Sequence, residues 1–391
     1  MVKFYTSFTE EVDDPETAVQ EILEQLNLKE NMLKNTIGIV HFYHEFANEN
    51  AWEAIAQALP FPLAGCVSSY LGSCGKNSEI ALSVTMLTSD DVYFSVKTIE
   101  GIAAKSREEL SVEITQLCAE FCEKEPPKLI LPFLTSLPNF SGDDLMETVN
   151  ALPKKIPFFG TMAINMDNFA GPHFVVGGKK MSPEMYSFVA VYGNVQPKFH
   201  VTSSFVFDEF PGEASKITDA DKSMLKMVDG ISAVEYLKKQ GLLTSDNQVS
   251  SRNAGFWAVA AILLYPDDTR VVRAFLGIVE GTEYISATGH MKNGAKIMFA
   301  HLDGEKTLKS AEQLIEDLAR NSKNDFLAYS CIARAWSLGT NFSAEAKKIA
   351  DFSKGLKYNV AYSGGEICPV FDKNGNMINT LHNFTFIACT F

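Results

Sequence analysis

Apolar residues recur at two periods along the chain, and the alternation of those periods lays out its elements. Helical spacing marks Pro15 to Leu28, where Val19, Ile22, Leu23 and Leu26 share a face, and Thr307 to Arg320, where Leu308, Ala311, Leu314, Ile315 and Leu318 do. Further helices are predicted over Glu49–Leu59, Ser106–Cys122, Ser141–Leu152, Ser232–Lys239 and Ser343–Phe352. Ser106 with Glu109 has the spacing of a capping box, and Ser141 suits an N-cap. Between them lie short apolar runs of strand character: Thr36–Phe42, Phe61–Cys66, Glu79–Leu87, Asp91–Ile99, Lys128–Leu134, Ile156–Gly160 and Tyr186–Tyr192. Beyond Pro197 follow Val201–Phe207, Ala258–Tyr265, Val271–Val279, Ala295–Ala300, Phe326–Cys331 and Tyr358–Ser363. Turn residues at Ser89-Asp90 and at Pro266-Asp267-Asp268 suggest a hairpin at each place.

One order of elements occurs three times. A short apolar strand precedes a helix; a strand ending on small residues follows, and a later strand returns. The order is read at Ile37–Val40 through Leu87, at Leu129–Leu134 through Tyr192, and at Phe326–Cys331 through Cys389. A helix between two strands allows a parallel pair, and the returning strand supplies an antiparallel neighbour. The expected fold class is therefore α/β, with related halves whose mixed parallel and antiparallel sheets are flanked by helices. The division falls at 1–197 (core from about 36) and 198–391. The alternative is a set of unrelated βαβ units on one sheet.

Composition narrows the function. A net charge of −14 with no basic cluster argues against a nucleic-acid surface. The longest apolar run, Phe256 to Tyr265, is about half of what a membrane helix needs. Met1–Ser7 has no apolar signal core, so a cytoplasmic location is expected, and seven cysteines fit reduced thiols there. Phosphate-loop and dinucleotide glycine patterns are absent, as is a paired His zinc motif. Cys118 and Cys122 read as small buried side chains; Cys66 and Cys74 flank a glycine turn without further ligands. No cofactor, metal site or catalytic residue is expected.

Candidate chemistry gathers near the end of the chain. Cys331 closes an apolar strand, and Arg334 follows three residues on, where a guanidinium can clamp a carboxylate or lower a thiol pKa. A buried thiol beside a surface arginine reads the same residues without function. Glu366 follows Gly364 and Gly365, and could bind an ammonium, pair with Arg334 or face water. His382 and Asn383 are adjacent, so on a strand only one faces the glycine turn. Asn383 suits an amide or carboxylate, or braces the turn itself.

Several short motifs in this order resemble the FIST family. The first half carries Ala64-Gly65-Cys66-Val67-Ser68-Ser69, Pro157-Phe158-Phe159-Gly160-Thr161 and Phe174-Val175-Val176-Gly177-Gly178. The second carries Val228-Asp229-Gly230, the stretch from Gly289 to Gly294, Ser330-Cys331-Ile332-Ala333-Arg334, Gly365-Glu366-Ile367 and His382-Asn383-Phe384-Thr385. The resemblance implies an intracellular sensor of a small polar metabolite, with amino acids the proposed ligands, and a separate protein partner as its output. Gly364 stands where the family usually has an aromatic, and His200-Val201 where it often has His-Gly; both changes imply a reshaped pocket. Under this reading Cys331, Arg334, Gly365, Glu366, His382 and Asn383 bind ligand, Arg334 meeting a carboxylate and Glu366 an ammonium. Two other functions remain open on the sequence: an interaction scaffold without ligand, and a thiol enzyme using Cys331.

Overall fold

The computed structural model describes residues 1–47, 50–73, 75–137, 139–165, 171–205, 214–243, 259–320, 324–353, 355–372 and 374–391, with the backbone of 321. The expected roles of Cys74, of Phe207 and of the run from Phe256 to Ala258 lie outside the described residues.

Three units repeat one order: edge strand, helix, central strand, helix, parallel strand, hairpin, returning strand. The first runs Lys3–Thr9, Pro15–Leu26, Asn35–Phe42, Ala51–Ala58, Leu63–Val67, a hairpin of Leu71–Ser73 with Lys76–Ser78, and Leu82–Ser89. The second runs Val92–Glu100, Arg107–Phe121, Leu129–Leu134, Gly142–Asn150, Gly160–Met162, a hairpin of Val175–Gly178 with Lys180–Ser182, and Met185–Gly193. The third runs Lys198–Ser203, Gly304–Asn321, Phe326–Cys331, Ala344–Phe352, Tyr358–Ser363, a hairpin of Glu366–Phe371 with Met377–His382, and Thr385–Thr390. In every unit the returning strand lies antiparallel between edge and central strands, and the central strand pairs parallel with the next. The repeat read from the sequence is thus real, and the fold is α/β with mixed sheets.

Each hairpin leaves its own sheet and completes another. That of the first unit pairs with Tyr358–Ser363 of the third, that of the second with Leu63–Val67 of the first, and that of the third with Gly160–Met162 of the second. Three backbone hydrogen bonds tie the strand ends in the same cycle: Ser69 N–H to Tyr362 O (3.2 Å), Ile164 N–H to Val67 O (3.2 Å) and Gly364 N–H to Met162 O (3.1 Å). They make Val67, Met162 and Tyr362 equivalent. The strand registers then make His41, Phe133 and Tyr329 equivalent, opposite Cys66, Thr161 and Ala361. The His41 ring indeed packs on Phe133 (5.8 Å) and on Tyr329 (5.4 Å), where the three sheets meet. Two residues before Val67 and Met162 stand Gly65 and Gly160, where a Cβ would lie 1.8 Å from Val40 O and 2.1 Å from Pro132 O. The parallel strands can approach there only without a side chain.

Local chemistry sets the helix starts. Ser106 and Glu109 form the reciprocal capping box, and Ser141 forms one with Asp144. Glu79–Leu87 and Asp91–Ile99 do not form the expected hairpin. Leu82–Ser89 and Val92–Glu100 belong to different sheets. Ser89 Oγ accepts from Asp91 and Val92 N–H and turns the chain out of the first sheet into the second.

Between Lys198–Ser203 and Gly304–Asn321 the third unit carries an insert, a seven-stranded sheet with the helix Ala233–Lys239. Val259–Leu264 and Arg270–Ile278 form the hairpin expected there. Leu225, Val228, Leu237, Leu263, Phe275 and Ile297 give the insert its own core. Its other face lies against the strand ends of the second and third units.

Candidate functional site

A cavity of about 480 Å³ opens where the insert meets the body. Its floor is the carboxyl ends of parallel strands: Leu137 and Ile164 follow strands of the second unit, Cys331 and Gly364 those of the third. Open α/β sheets hold ligands at such ends because the chain turns away there and leaves backbone and side chains converging on a crevice. Leu276, Ser286 and Thr288 of the insert form the opposite wall, and Trp336 and Phe384 supply aromatic surface. Gly364 contributes only backbone to the lining. Among the described lining residues none is Asp, Glu, Lys or Arg.

The structure separates the candidate residues. Cys331 lines the cavity, and burial pushes its thiol well above the ordinary range, with the Glu366 carboxyl adding to the shift. A thiol held protonated is a poor nucleophile. Asn383 also lines the cavity, beside Gly365. Arg334 does not. It is fully buried on the short helix Ile332–Ser337, and its Nε and Nη2 donate to Glu345 Oε2 at 2.9 and 2.7 Å. The remaining donors reach Ser204 Oγ, Thr307 O and Ser310 Oγ. The guanidinium expected to clamp a ligand carboxylate, or to pair with Glu366, is engaged by an acid of its own unit.

Glu366 is also fully buried and lies outside the cavity lining. Ser363 Oγ–H and Thr385 Oγ1–H donate to its two oxygens at 2.9 and 2.8 Å. Burial outweighs these bonds and pushes its pKa up to about 8, so near neutral pH it is an uncharged acid, unsuited to holding an ammonium. The hairpin registers place it opposite Thr161, as Leu71 stands opposite Ala361 and Val175 opposite Cys66. The equivalent positions in the other two units are apolar. His382 pairs directly with Glu366 across the hairpin. It faces a second cavity of about 570 Å³, its Nε2 lies 3.1 Å from Cys368 O, and burial lowers its pKa to about 4. His382 and Asn383 therefore serve opposite sides, as adjacent strand residues must.

Sequence reasoning did not single out the residues that join insert to body. Arg273, fully buried, donates through Nη2 to both Asp143 oxygens (2.9 and 3.1 Å) and through Nη1 to Leu381 O (3.1 Å) and Asn383 Oδ1 (3.4 Å). Thr288 Oγ1–H donates to the same Asn383 oxygen at 2.9 Å. His290 N–H donates to Asp143 Oδ2, and its ring lies 3.1 Å from Glu147 and 3.5 Å from Asp144. Although burial opposes it, these carboxylates raise the His290 pKa to about 9. One atom each of Asp144, Glu147 and His290 lies within 4.8 Å of the others, a spacing that could hold a cation. Arg107 already takes that place, donating to Asp144 at 2.5 Å and to Glu147 at 3.1 Å. A signal for Glu345 existed: it precedes Ile349 by four residues and Phe352 by seven, on the apolar face of its helix.

Comparison with known proteins bears on the whole chain. No curated protein matches it. Among solved structures, "Structure of PurLQS from Thermotoga maritima" has 8% identity, a TM-score of 0.21, and coverage of 100% of this chain and 72% of that one. "T. maritima PurL complexed with FGAR" has 9% identity, a TM-score of 0.21, and coverage of 99% and 72%. Neither similarity is high enough to bear on fold or function. Two family models match: the FIST N domain over residues 36–231 and the FIST C domain over 233–369, their junction falling inside the insert. FIST domains are generally sensory domains of signal transduction. With those matches spanning most of its length, the chain belongs to the FIST family.

Proposed function

We propose that the protein is a non-catalytic sensor that takes a small polar metabolite into the cavity between insert and body, and that a separate protein reads the outcome. The observation that carries this reading is the composition of the cavity wall. One side is strand ends of the body and the other is the insert, so a bound molecule touches both. A ligand shifts a conformational equilibrium only through contacts that differ between the states, and a molecule wedged at this junction has such contacts. Amino acids remain within the ligand class. The absence of charged side chains among the described lining residues favours their neutral derivatives, such as amides, over free zwitterions.

A thermal-shift screen of free amino acids, their amides and related carboxylates tests this, because ligand bound only to the folded state raises the melting temperature by mass action. The expected result is a dose-dependent rise for one chemical class, abolished by Ser286→Trp, which fills the cavity from the insert side. Equal rises in wild type and S286W would place the ligand elsewhere. A screen flat for all classes, with a partner protein still captured, would favour the interaction scaffold.

A further inference from the structure

The geometry points to Asn383 as a fixed hydrogen-bond donor that selects ligands carrying an uncharged carbonyl oxygen, with Thr288 and Arg273 as the positioning residues that set it. This rests on the cavity being the ligand site and names the chemistry it accepts.

An asparagine amide has an accepting end and a donating end, and its neighbours decide which way it points. Arg273 has donors only, and its Nη1 lies 3.4 Å from Asn383 Oδ1. Thr288 faces the same oxygen. Its Oγ1 accepts from Ala274 N–H at 2.9 Å and donates its own proton to Asn383 Oδ1, also at 2.9 Å. Two donors thus face one end of the amide and hold the oxygen toward the insert. The other end, Nδ2, lies at the cavity wall near Gly365, where a built Cβ would stand 3.6 Å from it. Asn383 is 3% exposed, and no acceptor among the described residues takes the Nδ2 protons. A donor at the cavity wall that no described residue engages favours a ligand that supplies an acceptor. Charge selects further: Asp143 already neutralises Arg273, and no described lining residue offers a cation to a carboxylate. Trp336 and Phe384 give the remainder of the molecule an apolar face. His173, also in the lining, has a buried Nε2 without a partner and can meet a second polar group of either kind.

Three molecules of similar size separate the alternatives: phenylacetamide (neutral, with a carbonyl), phenylacetate (anionic) and phenethylamine (cationic, donor only). Ligand-observed NMR titration of each at millimolar concentration is the assay. Wild type is expected to bind phenylacetamide at least about tenfold more tightly than either charged probe. Thr288→Val, which removes the donor that fixes the amide, weakens phenylacetamide about three- to tenfold, and Thr288→Ser restores it. Asn383→Asp keeps an oxygen toward Arg273 and Thr288 but turns an acceptor to the cavity, so preference passes to phenethylamine. Tighter binding of phenethylamine or phenylacetate to wild type overturns the donor assignment while leaving the cavity a ligand site. Binding of none of the three overturns this inference; the cavity reading itself falls only with the broad screen. If N383D fails to fold, the Thr288 pair decides: unchanged affinity in T288V overturns the positioning role.

Discussion

Arg334→Ala separates a structural arginine from a ligand clamp. Arg334 and Glu345 are both fully buried, and their ion pair is 2.7 Å long. The truncation leaves Glu345 Oε2 without its cation, while Ser330 and Tyr362 continue to donate to Oε1 at 2.5 and 3.1 Å. It also removes one of two donors from Ser204 Oγ, which keeps Thr307 Oγ1, and from Thr307 O, which keeps Ser310 Oγ. Removing one partner of such a pair costs about 3–5 kcal/mol, because the remaining charge stays out of water. Unfolding entropy is about 2.1 cal/mol/K per residue, or roughly 0.8 kcal/mol/K for 391 residues taken as one cooperative unit. The expected fall in melting temperature is therefore about 4–6 °C. Urea unfolding followed by tryptophan fluorescence gives the free energy directly. The double change Arg334→Met with Glu345→Met removes both charges and recovers much of the loss. Ligand affinity, measured on the folded fraction, stays within about threefold of wild type, since Arg334 does not line the cavity. A variant R334A that unfolds at the wild-type urea concentration yet no longer binds ligand would refute this assignment and return the arginine to the site.

Glu366→Gln tests the buried acid. Its folded pKa of about 8 lies above the ordinary carboxyl value of 4.5, so its favourable contribution is complete below pH 4.5 and is lost as pH rises toward 8. Relative to wild type, E366Q gains roughly 3–5 kcal/mol between pH 4 and pH 9, read from urea midpoints at each pH; parallel curves would mean an ionised Glu366. His290 is likewise raised, to about 9 from 6.5, and its contribution is present below 6.5 and lost as pH rises through 9. His290→Gln is expected to cost about 2 kcal/mol at pH 6 and little above pH 9.5, with faster amide exchange at the insert–body contact; loss of the same size at both pH values would exclude the ion pairs as its cause. Gly160→Ala, whose Cβ would stand 2.1 Å from Pro132 O, should destabilise by about 3 kcal/mol or more, whereas Gly178→Ala, with open space and only a positive φ, costs about 1 kcal/mol. Equal stability of the two variants by urea unfolding would remove the close-approach argument.

The elements were largely legible because their signals are local. Ser106 and Glu109 cap their helix through neighbours three residues apart, and helical periodicity placed Pro15–Leu26 and Gly304–Asn321 to within a few residues. The threefold order of strands and helices was visible for the same reason. The exchange of hairpins was not, since Leu71–Ser73 pairs with a strand of the third unit and no property of either segment names the other. The hairpin expected through Ser89-Asp90 failed likewise: the turn chemistry is present, but it redirects the chain between sheets. Cys331 and Asn383, singled out by their strand-end position, both line the cavity. Arg334 was misassigned because Glu345 answers it from the face of another helix, and a sequence shows charges without showing which of them are already matched. Arg273 and Thr288 came from an insert whose place over the strand ends only tertiary packing reveals.

The exchanged hairpins also bear on synthesis. The hairpin ending at Ser78 completes a sheet with Tyr358–Ser363, about 280 residues further along, which at about 5–20 residues per second takes a ribosome roughly 15–55 seconds to reach. Through that interval the hairpin has an open hydrogen-bonding edge, the kind of surface that captures other nascent chains. The first sheet has all its strands once Lys180–Ser182 is made, but the second waits for Met377–His382 and the third for Thr385–Thr390, so two of the three sheets stay unfinished until the end of synthesis. Its vulnerability to misassembly is thereby concentrated in the time before the ring of units closes, and holding chaperones would act on it in that window.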